Sequence, residues 1–354
     1  MHKVISGIQQ MGIGVPNVYE AFDWYRKNFG MDIKVFEEAA EANLMLPYTG
    51  NMPQKRHAIL AVNLNGGGGF EIWQYTSKGT DKPTFKIQLG DLGMFVTKMK
   101  CRDVEQCYKD FKAKGLQLLS EVHKTPEGRL SFYLHDLYHN IFEITETDSS
   151  NWFSKQKSLT GGVYGTMIGV TDIEKSMHLY QNILGFDKKV FDVKGVQENY
   201  KGLPGGAHQV RRVLLRSTKP RLGSFGKLLG ANEVELVQVL DRTPRKMFEN
   251  RFWGDWGYIH LCFDIRGMQL LKQECEREGF PFTVDSANSF DMGEAAGHFT
   301  YIEDPDGTLI EFVETHKVPV AKKIGWYLNL KNKSPEKHLP NWMIKAMALN
   351  RVKD

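Results

Sequence analysis

From Gly257 onward the chain alternates, with Ile259, Leu261 and Phe263 on one side of an extended segment and His260, Cys262 and Asp264 on the other. A period of two predicts a strand that sets one imidazole apart from the aliphatic face. The pattern returns in TLIEFVE, after an Asp-Pro-Asp-Gly turn signal, where Leu309 and Glu311 share one face and Ile310 and Phe312 the other. A carboxylate beside aliphatic neighbours is costly to bury unless it is paired, protonated or bound to a metal, and His260 is a suitable co-ligand. Taken alone, a strand histidine is more often a hydrogen-bonded core or rim residue. Repetition along the chain is what changes the weight.

Residues 5 to 37 predict a strand, a break at Pro16-Asn17, a helix carrying Phe22, Tyr25 and Phe29 at helical spacing, a stop at Gly30 and a further strand. AILAVNL and FEIWQY follow as two more strands around Gly66 to Gly69. That glycine run is not followed by Gly-Lys-Ser/Thr or a helix, so it reads as a hairpin turn rather than a phosphate loop. The layout then recurs. VPNVYEAFDWYRKNFG, ending at Gly30, matches VTDIEKSMHLYQNILG, ending at Gly185, with Tyr25 against Tyr180. FEIWQ around Glu71 matches VELVQ around Glu235, and GMFV at Gly93 to Val96 matches GYIH at Gly257 to His260. YLHDLYHNIFE, ending at Glu143, matches YIEDPDGTLIE, ending at Glu311, with Tyr133 against Tyr301 and Asp136 against Asp304. The expected fold is therefore α+β: four βαβββ units, each needing a neighbour to bury its open sheet face. Consecutive units, first with second and third with fourth, are expected to form two cupped half-barrels over residues 1–150 and 158–316. Residues 317–354 are left as a C-terminal extension.

Length agrees with that count, since 354 residues suit two domains of about 150. A hydrophobic share of 41% with 25% charged residues is that of a soluble globular chain, and no apolar run reaches the length of a membrane helix. MHKVISGIQQMG lacks a secretory h-region, and the four cysteines form no CxxC pair, so a cytoplasmic location is expected. A net charge of +4 with scattered Lys and Arg leaves no footprint for nucleic acid. The expected partner is a small molecule, with no nucleic acid and no membrane, and homo-oligomer formation stays open.

The four units resemble the vicinal oxygen chelate superfamily, which includes glyoxalase I and the extradiol ring-cleaving dioxygenases, over about residues 5 to 315. The resemblance implies that first and last strands each offer a metal ligand into a cup. Those positions fall on Gly165, Glu235, His260 and Glu311 in the C-terminal half and on Gln10, Glu71, Val96 and Glu143 in the N-terminal half. It thus implies a divalent ion (Zn, Ni, Co, Mn or Fe) held by Glu235, His260 and Glu311, and an N-terminal half reduced to scaffold because Val96 stands at its imidazole position. Glu311 or Glu235 is then the proton-moving carboxylate, and Tyr301 matches a tyrosine that assists ring cleavage in the dioxygenases. A Glu/His/Glu set favours isomerase or lyase proton chemistry, because dioxygen activation relies on two imidazoles and one carboxylate. A ring-cleaving dioxygenase and a non-catalytic small-molecule-binding protein are the alternatives.

Two segments fall outside the repeat. VKGVQENYKGLPGGAHQVRR, ending in Arg211 and Arg212, reads as a solvated loop in preference to a lid. PNWMIKAMALNRVKD predicts a helix from Pro340 that packs Trp342, Ala346 and Leu349 against the barrel or a partner subunit.

Overall fold

The computed structural model describes residues 2–287, 290–291, 296–321 and 325–353. The first unit comprises β1 (Val4–Gly14), α1 (Val18–Phe29), β2 (Ile33–Glu41), β3 (Lys55–Val62) and β4 (Gly69–Tyr75). The second comprises β5 (Gly93–Cys101), α2 (Val104–Ala113), β6 (His123–Lys124), β7 (Leu130–His135) and β8 (Ile141–Glu146). The third has β9 (Thr160–Gly169), α3 (Ile173–His178), β10 (Lys188–Gly195), β11 (Val210–Arg216), the short α4 (Gly226–Leu229) and β12 (Glu233–Val239). The fourth has β13 (Gly257–Arg266), α5 (Met268–Arg277), β14 (Val284–Asp285), β15 (Phe290–Asp291), β16 (Ala296–Glu303) and β17 (Leu309–Ala321). β18 (Trp326–Asn329) and α6 (Asn341–Ala346) close the chain. No helix among the described residues is long and apolar enough to cross a membrane.

Local chemistry sets the boundaries. Asn17 caps α1 by accepting from the backbone N–H of Tyr19 and Glu20, and Gly30 ends it in the left-handed region at φ 65°. The matched glycines Gly115, Gly185 and Gly279 also have positive φ. Asp136 accepts from the Tyr25 hydroxyl at 2.5 Å, and Asp304 from the Tyr180 hydroxyl at 3.1 Å. The repeated Tyr and Asp are therefore braces between a helix of one unit and a turn of the next.

The pairing of units differs from the expected one. One sheet runs β14-β16-β17-β13-β1-β4-β3-β2 and joins the first unit to the fourth, while the other runs β10-β11-β12-β9-β5-β8-β7-β6 and joins the second to the third. Each sequence half contributes one unit to each cup. The seam in each sheet is an antiparallel pair of first strands, β1 with β13 and β5 with β9. Every unit presents such an edge, so periodicity alone leaves the choice of partner open. Contacts between the two sheets help to fix it. The Gly66–Gly69 turn joins β3 to β4 as expected and also approaches β9, where a Cβ on Gly67 would lie 2.8 Å from the backbone of Gly162. Close backbone approach, rather than the hairpin alone, explains the run of glycines.

The helices and one face of each sheet share a core that includes Phe22, Tyr25, Phe70, Phe142, Val163 and Phe263. The opposite faces form the cups. Phe36, Leu60, Trp73, Tyr301, Val318 and Met347 cluster in the first, and Val96, Tyr133, Met167, Tyr200, Leu203 and Val237 in the second. The tail does pack on the barrel, but through Ile344 and Met347, whereas Trp342 and Leu349 are exposed. α6 ends at Ala346 and a 3₁₀ turn follows over Met347–Asn350, so the 3.6-residue period behind the expected face stops after six residues. The segment between β10 and β11 is likewise not a solvated loop, because Tyr200 and Leu203 are buried in the second cup.

Candidate metal centre

Strand register builds the site in the first cup. Gln10 on β1 lies opposite Cys262 on β13, which lies beside Glu311 on β17. Two residues along, Gly12 lies between His260 on β13 and Glu71 on β4. A Cβ on Gly12 would come within 2.5 Å of the His260 ring, so the imidazole lies directly against bare backbone. His260 Nε2 stands 3.2 Å from Glu71 Oε2 and 3.2 Å from Glu311 Oε2. Ligand-capable atoms of the three residues lie within 4.8 Å of one another. Gln10 Nε2 donates to Glu71 Oε2 at 3.0 Å and reaches Glu311 Oε2 at 3.4 Å.

Burial and charge act against each other here. Desolvation lowers the proton affinity of His260, but Glu311 and Glu71 outweigh it and hold the imidazole above its ordinary pKa. Desolvation raises Glu311 and the Glu71 charge adds to it, against the His260 contribution. Burial, then Glu311 and Glu71, also push the Tyr301 hydroxyl well above the usual phenol range. Tyr301 OH lies 3.2 Å from His260 Nδ1. That contact occupies one ring nitrogen and leaves the other for the carboxylates.

A divalent ion fits these residues. Gln10 Oε1 is buried without a hydrogen-bond partner, which is expensive unless something else meets it, and His260 Nε2 has only the two carboxylates at 3.2 Å. Turning the Gln10 amide over would exchange its nitrogen for the unpartnered oxygen. Three or four N and O donors, two of them carboxylates, form a donor set suited to Zn, Mn, Co, Ni or Fe. Glu71 and Glu311 both line a cavity of about 460 Å³.

Of the expected ligands, His260 and Glu311 are together in this cup, with the candidate catalytic residue Tyr301 beside them. Glu235 is not. It lies on β12 in the second cup, where Lys98 Nζ donates to it at 2.6 Å, Tyr200 OH at 2.6 Å and Arg212 Nε at 2.5 Å. Glu71, expected to be scaffold, stands where Glu235 was expected, and Gln10 completes the set. A sequence signal for this existed. Joining the first and fourth units fills all four positions of one cup with donors (Gln10, Glu71, His260, Glu311) and leaves both non-donors, Val96 and Gly165, in the other beside Glu143 and Glu235.

The model of the Glyoxalase/Bleomycin resistance protein/Dioxygenase superfamily matches the chain twice, over residues 7–144 and 164–312. A search of curated protein sequences returns no match. Among solved structures, a V278E variant of glyoxalase I from Zea mays superposes with a TM-score of 0.55 at 13% identity, covering 88% of this chain and 93% of that one. Glyoxalase I from Zea mays gives 0.53 at 13% identity, with 88% and 92% covered. A candidate dioxygenase from Bacillus subtilis gives 0.55 at 14% identity, with 88% and 86% covered. At such identities the likeness is one of fold.

Proposed function

The chain belongs to the glyoxalase/bleomycin resistance protein/dioxygenase superfamily, and from that premise we propose that it is a metal-dependent enzyme of the isomerase or lyase kind. Its substrate presents two neighbouring oxygens to the first cup, and a proton moves at the adjacent carbon. The observation that carries this reading is the Glu71, His260 and Glu311 set, whose ligand-capable atoms converge within 4.8 Å of one another. A divalent cation there supplies Lewis acidity, which lowers the pKa of C–H and O–H groups next to the bound oxygens. Glu71, His260 and Glu311 would hold it, with Gln10 as a fourth donor once its amide is turned over.

The remaining work falls to the chain's own groups. Tyr301 holds His260 in the tautomer that keeps Nε2 available, accepting from Nδ1–H. Glu311 is tied by His260, Cys262 and Tyr301. Glu71 Oε2 meets His260 and Gln10, so Glu71 carries the proton through Oε1. Trp73 and Trp253, packed edge to face with ring centres 4.6 Å apart, form a rigid apolar wall beside the carboxylates against which the substrate is oriented. One imidazole with two carboxylates departs from the two-imidazole set suited to dioxygen chemistry, which favours proton transfer over ring cleavage.

The test joins metal content to proton exchange. Protein purified and reloaded with Zn, Mn, Co or Ni should hold about one ion per chain, and His260→Ala and Glu71→Gln should lose it. In D₂O, the loaded protein should exchange the C–H beside the oxygens of 2-hydroxy and 2-oxo carbonyl compounds without consuming oxygen. Unchanged metal content in both variants, or catechol cleavage with oxygen uptake, would overturn the assignment.

A further inference from the structure

Beyond the chelating end, the cavity gives information about the rest of the substrate. Its floor is polar, with Gln10, Glu71, Glu311 and Tyr301, whereas its walls include Leu60, Trp73, Leu228, Trp253, Phe299 and Val318. Ionised groups nearer the rim are already engaged. Arg56 donates to Glu38 Oε2 at 2.8 Å and to the Glu38 carbonyl at 3.2 Å, and Lys317 lies 4.5 Å from the centre of the Tyr327 ring. Glu41 adds a further negative charge to the lining. The two floor carboxylates balance one divalent ion, so no surplus of positive charge remains to hold an anionic tail.

We infer that the first cup takes a substrate with one chelating pair of oxygens joined to a single apolar, preferably aromatic body that carries no further charge. This rests on the metal reading above for the chelating end only. The apolar body follows from the walls. A cavity of about 460 Å³ holds a fused bicyclic ring beside the chelating group, and the indoles of Trp73 and Trp253 offer faces and edges for such a ring. Trp253 also stacks on His260, with ring centres 6.1 Å apart and planes at 22°. The wall that receives the body is therefore continuous with the ligand that orients the chelating end.

Hydroxamates, which chelate through two neighbouring oxygens, separate the two ends. Binding to the zinc-loaded full-length protein is followed by calorimetry and by tryptophan fluorescence, using acetohydroxamate, benzohydroxamate, 2-naphthohydroxamate, hexanohydroxamate and adipic monohydroxamate. Each added ring should tighten binding about tenfold or more, and the terminal carboxylate of the adipic probe should weaken it about tenfold relative to the hexanoyl one. Phe225 and Phe299 both line the cavity at half-buried positions, and Phe225→Ala and Phe299→Ala should each reduce the ring preference several-fold with metal content unchanged. Equal affinity for all chelators, or preference for the carboxylate-ended probe, overturns the inference and leaves the metal reading intact. If the protein retains no zinc but still binds 2-naphthamide in preference to acetamide, the apolar body stands and the metal reading falls.

Discussion

The two cups share equivalent central strands in matching register, yet only one is open and donor-rich. In the first, Gln10 lies opposite Cys262 and beside Glu311 through that strand. In the second, Gly165 lies opposite Lys98, which pairs with Glu143. Lys98 thus holds the place of Cys262, and Val96, two residues earlier, that of His260. Gly12, which makes room for the His260 ring, has Met167 as its counterpart beside Glu235. An imidazole at 96 would meet a methionine where the first cup offers bare backbone.

The remaining carboxylates of the second cup are neutralised from within. Lys98 Nζ lies 3.3 Å from Glu143, 3.3 Å from Glu233 and 2.6 Å from Glu235. Arg212 joins Glu235 at 2.5 Å, and Arg129 and Arg216 join Glu233 at 2.8 and 2.7 Å. The insertion between β10 and β11 then fills the mouth with Tyr200 and Leu203. An ammonium on a side chain occupies the place that a cation from solution would take, and a fixed plug occupies the place of a substrate. The difference between an open, donor-lined cup and a filled, internally neutralised one here comes down to a few side chains on a similar frame.

The largest effect should follow from breaking that internal neutralisation. Lys98→Met leaves Glu143, Glu233 and Glu235 clustered with one fewer cation, and removing one partner of a buried ion pair costs about 3–5 kcal/mol. Urea unfolding should show the loss, while metal binding in the first cup persists in whatever fraction stays folded. The same cluster sets the acid response. Burial opposes ionisation of Glu235, but Arg212 and Lys98 outweigh it and hold its pKa at about 2, below the usual 4.5. A depressed carboxylate stabilises the fold above its unfolded pKa, so this contribution is complete above pH 4.5 and is lost as the pH falls toward 2. In Lys98→Met the loss should begin at higher pH, as read from denaturant midpoints across pH 2 to 6. An unchanged acid profile would show that Arg212 alone sets the Glu235 ionisation.

A middle-sized effect is expected at Gly12. An Ala there puts a Cβ within 2.5 Å of the His260 ring, and crowding of this kind costs about 1–3 kcal/mol. Gly12→Ala should therefore weaken zinc binding by about tenfold to a hundredfold with all four donors still present, measured by competition with a chromophoric chelator. Unaltered zinc affinity would mean that the imidazole is free to move aside, and that Met167 is not what closes the second cup to an imidazole.

How much of this was legible in the sequence follows from what each signal measures. Period-two alternation and the recurring Tyr, Asp and helix-ending Gly located the four units, because those residues meet local demands of strand, brace and αL cap. His260, Glu311 and Tyr301 were legible because the strands holding them belong to one unit. The partner unit was not, since edge-to-edge pairing of first strands is decided by contacts far apart in sequence, such as the approach of Gly67 to Gly162. Glu235 was therefore chosen over Glu71 although both occupy the same position in their units. The second cup's plug was missed for a related reason. Tyr200 sits among Gly, Lys and Gln, a composition that reads as loop, and it becomes core through contacts distant in sequence, with Val96, Tyr133 and Met167 around its ring and Glu235 at 2.6 Å from its hydroxyl.

The smallest effect should come from Tyr301, whose counterpart Tyr133 is equally buried but has a hydroxyl without a hydrogen-bond partner. In the first cup the phenol has a specific task, contact with His260 Nδ1 at 3.2 Å. Tyr301→Phe keeps the ring and its packing against Trp253 and removes that contact together with the hydroxyl's tie to Glu311, so the fold should lose about 1 kcal/mol. The imidazole then has no partner fixing its tautomer, and zinc affinity should fall about tenfold, the low end of what orienting partners contribute. Tyr133→Phe should change neither quantity appreciably, because its hydroxyl has no hydrogen-bond partner and Phe keeps the ring that stacks on His123 at 5.2 Å. Equal behaviour of the two Phe variants would reduce Tyr301 to a packing residue, whereas a loss of proton exchange far exceeding the loss of zinc would mean that its hydroxyl touches the substrate.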